Sequence, residues 1–125
     1  MLAERVKSIL VVENEILIAM DLEVMLDAMG VGSIHHAPTC REALEWLEDH
    51  APDLAILDLH LRDGSGTLIA EQLAARGVPF IVYSGDTPGS AGYSLLSQAA
   101  WITKPCSAEE LSAAIMRALS KFEPS

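Results

Sequence analysis

The stretch from Pro52 to Gly66, Pro-Asp-Leu-Ala-Ile-Leu-Asp-Leu-His-Leu-Arg-Asp-Gly-Ser-Gly, constrains the fold more than any other part of the chain. Leu54 to Leu57 form an unbroken apolar run too short for a helix, the run ends on the carboxylate of Asp58, and Asp63-Gly64-Ser65-Gly66 turns the chain. A short run without polar alternation belongs to a strand buried on both faces, the kind found in parallel sheets covered by helices. In such an open sheet ligands bind in the crevice outside the carboxyl ends of the strands, so Asp58 stands where chemistry would be placed. The plainer reading is an Asp that ends its strand by capping a turn, and the segment alone does not choose between them.

The rest of the chain repeats the same alternation. Ser8 to Val12 is a short apolar, β-rich run closed by Glu13-Asn14-Glu15, where Asn14 is placed to N-cap a helix of about 15 residues carrying Ile16, Leu17, Met20, Val24 and Met29 and stopped by Gly30. Ser33 to Ala37 is a weaker second strand, and Thr39 with Glu42 three residues on makes a capping-box-like start for a helix ending near His50. After the strand Asp53 to Asp58, Thr67 to Arg76 is a helix with Leu68, Ile69, Leu73 and Ala74 inward and Gly77 as its cap. Pro79 to Ser84 is a fourth strand, and only Tyr93 to Gln98 is helical before the fifth at Ala100 to Thr103, so that helix is short or frayed. Ser107 caps a last helix with Leu111, Ile115, Leu119 and Phe122 on one face. Five strands alternating with five helices predict one α/β domain over residues 1–125, a doubly wound parallel sheet with right-handed crossovers.

Composition narrows the function. Eighteen acids against eight Lys plus Arg give a formal net charge of -10, which repels phosphate backbones and anionic lipid and leaves no basic stripe to read nucleic acid. No apolar stretch approaches the length of a membrane span, and the first residues run into a strand pattern instead of a signal sequence, so the expected location is the cytoplasm. Cys40 and Cys106 lie far apart with no Cys-x-x-Cys, which suggests neither zinc nor a disulfide framework.

Polar groups collect at the strand ends: Glu13 and Asn14 after the first, Asp58 after the third, Ser84 after the fourth, Lys104-Pro105 after the fifth. In this order the residues resemble the response-regulator receiver domain along essentially the whole chain. The segment Val78-Pro-Phe-Ile-Val-Tyr-Ser-Gly and the Gly-rich loop after it are similar in part to an alphaproteobacterial subgroup of stand-alone receivers with a Phe-Ala-Thr-Gly signature, although Val82-Tyr83-Ser84-Gly85 stands at that position.

The resemblance implies a flavodoxin-like fold with strand order 2-1-3-4-5 and a phosphoacceptor chemistry. Asp58 would take a phosphoryl group from a phosphohistidine on a sensor histidine kinase or histidine phosphotransfer protein, with Lys104 neutralising a phosphoryl oxygen and Ser84 donating its hydroxyl. Mg²⁺ or Mn²⁺ would be held by Glu13, Asn14, Asp58 and the backbone carbonyl of His60, and the Lys104-Pro105 peptide would be cis. Trp101, three residues before Lys104, occupies the place of the family's aromatic switch, with plain packing as the alternative. By the same resemblance His60 and Asp86, two residues beyond the acceptor and two beyond the hydroxyl residue, would modulate phosphoryl lifetime, the alternative being exposed loop residues without influence on it. No separate substrate is turned over, and with no effector segment after Ser125 the expected role is a stand-alone relay, sink or partner-binding switch.

One departure stands out. Receivers normally carry two acids after the first strand, whereas Glu13 is followed here by neutral Asn14. A unit-charge pair at ~4 Å is worth up to roughly 4 kcal/mol at an effective dielectric of about 20, much of it returned by hydration, so weaker metal binding is expected, not its loss. The departure also supports an alternative, a receiver-like module that binds partners without phosphorylation. An Asp-nucleophile hydrolase would want a second acid two residues after Asp58, where His60 stands. His35-His36 point to opposite faces of a strand and read as an ordinary surface pair, Trp46 as a helix residue at the core edge, and the apolar residues of the first helix as core with a part left to face a partner.

Overall fold

The computed structural model describes residues 5–85 and 99–122. Its central sheet contains β1 (Ser8–Val12), β2 (Ser33–Ala37), β3 (Leu54–Leu57), β6 (Phe80–Ser84) and β7 (Ala100–Thr103), all parallel, in the order β2-β1-β3-β6-β7. A separate hairpin of β4 (His60–Leu61) and β5 (Gly64–Ser65) pairs antiparallel just after β3. Among the described residues the helices are α1 (Ile16–Ala28), α2 (Cys40–Asp49), α3 (Thr67–Ala75) and α4 (Ala108–Phe122). The expected short helix at Tyr93 to Gln98, and Asp86 before it, lie outside the described residues.

Alternation along the strands builds two cores, one on each side of the sheet. Ile9 and Val11, Leu54 and Ile56, and Ile81 and Tyr83 face one side with Ala19, Leu22 and Leu26 of α1 and Leu111 and Ile115 of α4. Leu10 and Val12, Ala55 and Leu57, and Phe80 and Val82 face the other with Ala43 and Leu47 of α2 and Ile69 and Leu73 of α3. Both faces of β3 are buried, which is why its sequence shows no polar alternation.

Three local expectations change. The N-cap of α1 is Glu15, not Asn14, it makes no side-chain cap bond, and Glu13 Oε2 accepts its N–H at 3.1 Å just before the helix. α1 also turns a different face inward than its apolar residues suggested. Because nearly every position is apolar, its orientation is set by Ala19, Leu22 and Leu26, spaced at helical intervals, while Ile16, Leu17, Met20 and Val24 are 64, 72, 52 and 70% exposed. In α3, Ile69, Ala70 and Leu73 are buried, and Leu68 and Ala74 face solvent. The other caps follow the sequence. Thr39 Oγ1 accepts the Glu42 N–H at 3.1 Å, and Ser107 forms a full capping box, its Oγ accepting from Glu110 N–H at 3.1 Å while Glu110 Oε1 accepts from Ser107 N–H at 3.0 Å.

Candidate functional site

The sheet ladder continues one residue past each central strand and thereby aims the polar side chains. Glu13 N–H donates to the Ala37 carbonyl at 3.2 Å, Asp58 N–H to the Val12 carbonyl at 2.9 Å, and Lys104 N–H to the Ser84 carbonyl at 2.9 Å. Four strand ends thus deliver Glu13, Asp58, Ser84 and Lys104 to one edge, the crevice outside the carboxyl ends of the sheet. Glu13, Asp58 and Ser84 are buried, and Lys104 reaches in from the rim.

The Lys104 ammonium ties the two acids together: Nζ lies 2.6 Å from Glu13 Oε1 and 3.1 Å from Asp58 Oδ2, and 5.6 Å from the centre of the Tyr83 ring. The second oxygen of each carboxylate accepts a backbone amide, Glu13 Oε2 that of Glu15 and Asp58 Oδ1 that of His60 at 3.0 Å. Among the described residues no buried side-chain nitrogen or oxygen lacks a hydrogen-bond partner. Burial pushes the Glu13 carboxyl above its usual range, even though the Lys104 and Glu15 hydrogen bonds favour its anion. For Lys104 burial works against the ammonium, but hydrogen bonds and charge from Glu13 and Asp58 outweigh it, and its pKa is raised. Tyr83 behind it is pushed up to about 12, chiefly by burial, and its hydroxyl accepts the Cys106 N–H at 3.3 Å.

The donor set suits a hard divalent cation. Two carboxylates, the amide oxygen available to Asn14 and the main chain at His60 are all oxygen ligands, the chemistry Mg²⁺ and Mn²⁺ prefer. Among the described residues no group of three or more His, Cys, Asp or Glu side chains is gathered to hold a metal, in keeping with an amide where a third acid would stand.

The structure therefore brings together Glu13, Asp58, Ser84 and Lys104, with partly buried Asn14 and exposed His60 on the adjoining loops. The Lys104-Pro105 peptide is cis, as the sequence suggested. Trp101 pairs in register with Val82 and packs, partly buried, against the core on the α2 and α3 side. His35 and His36 part as expected for strand neighbours, but both have structural roles. His35 stacks on Trp46 at 4.8 Å between ring centres, Trp46 stacks on His50 at 4.5 Å, and His36 Nε2 donates to the Glu13 carbonyl at 2.6 Å. Burial and the neighbouring His50 and His36 lower the His35 pKa. The sequence reading also missed Asp63, whose Oδ1 and Oδ2 accept the Cys40 and Arg41 N–H groups at 2.8 and 3.0 Å. An Asp-Gly pair reads as a turn, and nothing in its spacing indicates a helix 22 residues upstream.

Comparison with known proteins supplies the family. The response regulator receiver domain profile matches residues 9–116. The transcriptional regulatory protein PdtaR of Mycobacterium tuberculosis is 32% identical, with 93% of this chain and 58% of that protein aligned. The phyllosphere-induced regulator PhyR of Methylorubrum extorquens is 34% identical over 94% of this chain and 45% of its own length, so the chain spans about half the length of these curated relatives. Among solved structures, SdrG from Sphingomonas melonis superimposes with a TM-score of 0.79 at 36% identity, covering 92% of this chain and 98% of that one. A CheY-like receiver from Methanospirillum hungatei gives 0.80 at 27% identity, covering 94 and 96%. With Asp58 at the end of its central strand, Lys104 across from it and the parallel sheet that places them, the chain belongs to the response regulator receiver domain family.

Proposed function

We propose that this chain is a phosphoacceptor of two-component signalling, taking a phosphoryl group onto Asp58 from the phosphohistidine of a histidine kinase or histidine phosphotransfer protein. The observation that carries the reading is the Lys104 ammonium bridging the buried carboxylates of Glu13 and Asp58 at the carboxyl end of the central strand. An Asp58 oxygen attacks phosphorus, the phosphorus–nitrogen bond breaks, and the imidazole leaves with the electron pair and takes up a proton. Lys104 is already within hydrogen-bond distance of the attacking carboxylate, so it can shift its donors to the incoming phosphoryl oxygens without entering from solvent. Ser84, buried at the end of the neighbouring strand, offers a hydroxyl to the bound group. A divalent cation held by Glu13, Asp58, Asn14 and the His60 carbonyl would supply charge neutralisation between the two anions. The reaction ends on the chain itself, so no further substrate is turned over.

The donor is a protein, and α1 is a surface suited to one. Ile16, Leu17, Met20 and Val24 leave an exposed apolar face beginning three residues after Glu13, and α1 carries Asp21, Glu23 and Asp27 but no Lys or Arg, so a partner face with apolar centre and basic flanks fits it. No helix among the described residues is long and apolar enough to cross a membrane. The cytoplasm, where such kinases present their phosphohistidines, is the proposed location. The amide at Asn14 favours one second reading, a partner-binding module indifferent to phosphorylation. Incubation with acetyl phosphate and Mg²⁺ followed by intact mass measurement separates the two: one added phosphoryl group on the parent and none on Asp58→Asn is expected. Equal labelling of parent and variant would sink the acceptor reading, and no labelling of the parent would favour the second.

A further inference from the structure

The loop after Asp58 is held at both of its ends. At its base the Gly66 N–H donates to the Leu59 carbonyl at 3.2 Å, and a Cβ at position 66 would lie 2.5 Å from the Asp58 carbonyl oxygen, so the chain returns in direct contact with the acceptor's own backbone. Between base and tip, His60 pairs with Ser65 and Leu61 with Gly64, and this two-pair ladder is far below what a hairpin needs to persist in water by itself. At the tip the Asp63 carboxylate spans the first two amides of α2, accepting from Cys40 at 2.8 Å and Arg41 at 3.0 Å while Thr39 serves Glu42. A carboxylate at a helix N-terminus gains from the aligned peptide dipoles as well as from the two hydrogen bonds. The pinned hairpin in turn directs the His60 N–H onto Asp58 Oδ1 at 3.0 Å.

We infer that Asp63 is a positioning residue for the phosphoacceptor: by anchoring the β4–β5 hairpin to the N-terminus of α2, it holds the His60 peptide so that its amide fixes one oxygen of Asp58. The consequence for chemistry rests on the acceptor reading above; the positioning itself does not. Without the anchor the hairpin loses its tip contact, the His60 amide leaves the carboxylate for part of the time, and Asp58 keeps its Lys104 contact but loses a fixed orientation.

The test compares three variants of the full chain. Asp63→Ala removes both acceptor atoms, Asp63→Asn keeps one, and Thr39→Ala removes a cap from the same helix without touching the hairpin. In metal-free buffer, hydrogen exchange at the His60 amide should rise roughly fivefold to tenfold in Asp63→Ala, the effect of losing one cap interaction, rise less in Asp63→Asn, and stay at the parent rate in Thr39→Ala. Labelling of Asp58 by acetyl phosphate and Mg²⁺ should slow several-fold in the same order. Exchange at His60 unchanged in Asp63→Ala, or raised equally in Thr39→Ala, would overturn the positioning. Exchange that follows the expected order in a chain that takes up no phosphoryl group at all would keep the positioning and remove the acceptor reading.

Discussion

The crevice at the carboxyl ends of the strands and the outer face of α1 meet at the turn after β1, which carries Glu13 into one and Ile16 into the other, and they are finished in opposite ways. In the crevice each carboxylate oxygen of Glu13 and Asp58 has a donor, and the side chains are buried. On α1, only a few residues further on, four large apolar side chains stand in solvent. Chemistry requires groups whose position is fixed before the reaction begins, because reorganising them during it adds to the barrier. Recognition requires the reverse: surface left uncovered until a partner removes it from water. Sequence alone shows both regions as apolar residues beside acids, and the difference appears only when the direction of each side chain is known.

Four substitutions test that contrast. The largest effect should come from Lys104→Met, which leaves two buried carboxylates facing each other; breaking a buried pair in this way costs about 3–5 kcal/mol, and millimolar Mg²⁺ should return part of it. Urea unfolding with and without Mg²⁺ measures both, and a variant as stable as the parent in metal-free buffer would mean the pocket is more solvated than it looks. Next, Leu17→Asp should lower transfer from a phosphohistidine donor by about tenfold, equivalent to about 1.4 kcal/mol, while labelling by acetyl phosphate and stability stay near the parent values. Losing both labelling routes together would show that the face supports the crevice instead of the partner. Asn14→Asp should tighten Mg²⁺ by up to about tenfold through the restored charge; titrations that coincide would remove position 14 from the metal sphere.

The smallest effect is a pH dependence. The Arg41 and Cys40 amides hold the Asp63 carboxyl below its ordinary value of 3.8. A depressed carboxyl contributes stability above that value and loses it as pH falls through the folded pKa, so the stability gap between parent and Asp63→Ala should be constant near neutrality and close below pH 3.8. A gap that persists at the acid end would assign the effect of the substitution to something other than charge at the helix terminus.

What could be read from the sequence follows from the range of the interactions. The apolar runs at Leu54 to Leu57 and Pro79 to Ser84 and the caps at Thr39 and Ser107 are local patterns, and each is found where the residues placed it, the second run within one residue. The strand-end residues Glu13, Asp58, Ser84 and Lys104 were also legible, because a parallel sheet sends all carboxyl ends to one side. The orientation of α1 was not, since a helix apolar on every side carries no periodic signal to orient it. Asn14 looked like a cap because its type suits one, yet the cap position falls on Glu15, and Glu13 holds the Glu15 amide with a side chain that also reaches Lys104. The contacts of Asp63 with α2 and of His36 with the Glu13 carbonyl join residues 22 to 23 positions apart, where no spacing rule applies.

Gly66 shows what that long-range geometry means for tolerance to change. Its φ of -63° and ψ of -8° suit any residue, so backbone conformation gives no reason for glycine there. The reason is that one methyl group at this point would sit 2.5 Å from the carbonyl oxygen of Asp58 and 3.3 Å from the Cα of Leu59, both main-chain atoms that cannot swing aside as a side chain can. In a complete substitution library, position 66 should therefore reject every replacement, and under the proposed acceptor role position 58 should do the same. The two columns would look alike for unrelated reasons: one residue would be kept for the group it carries, the other for the volume it leaves empty.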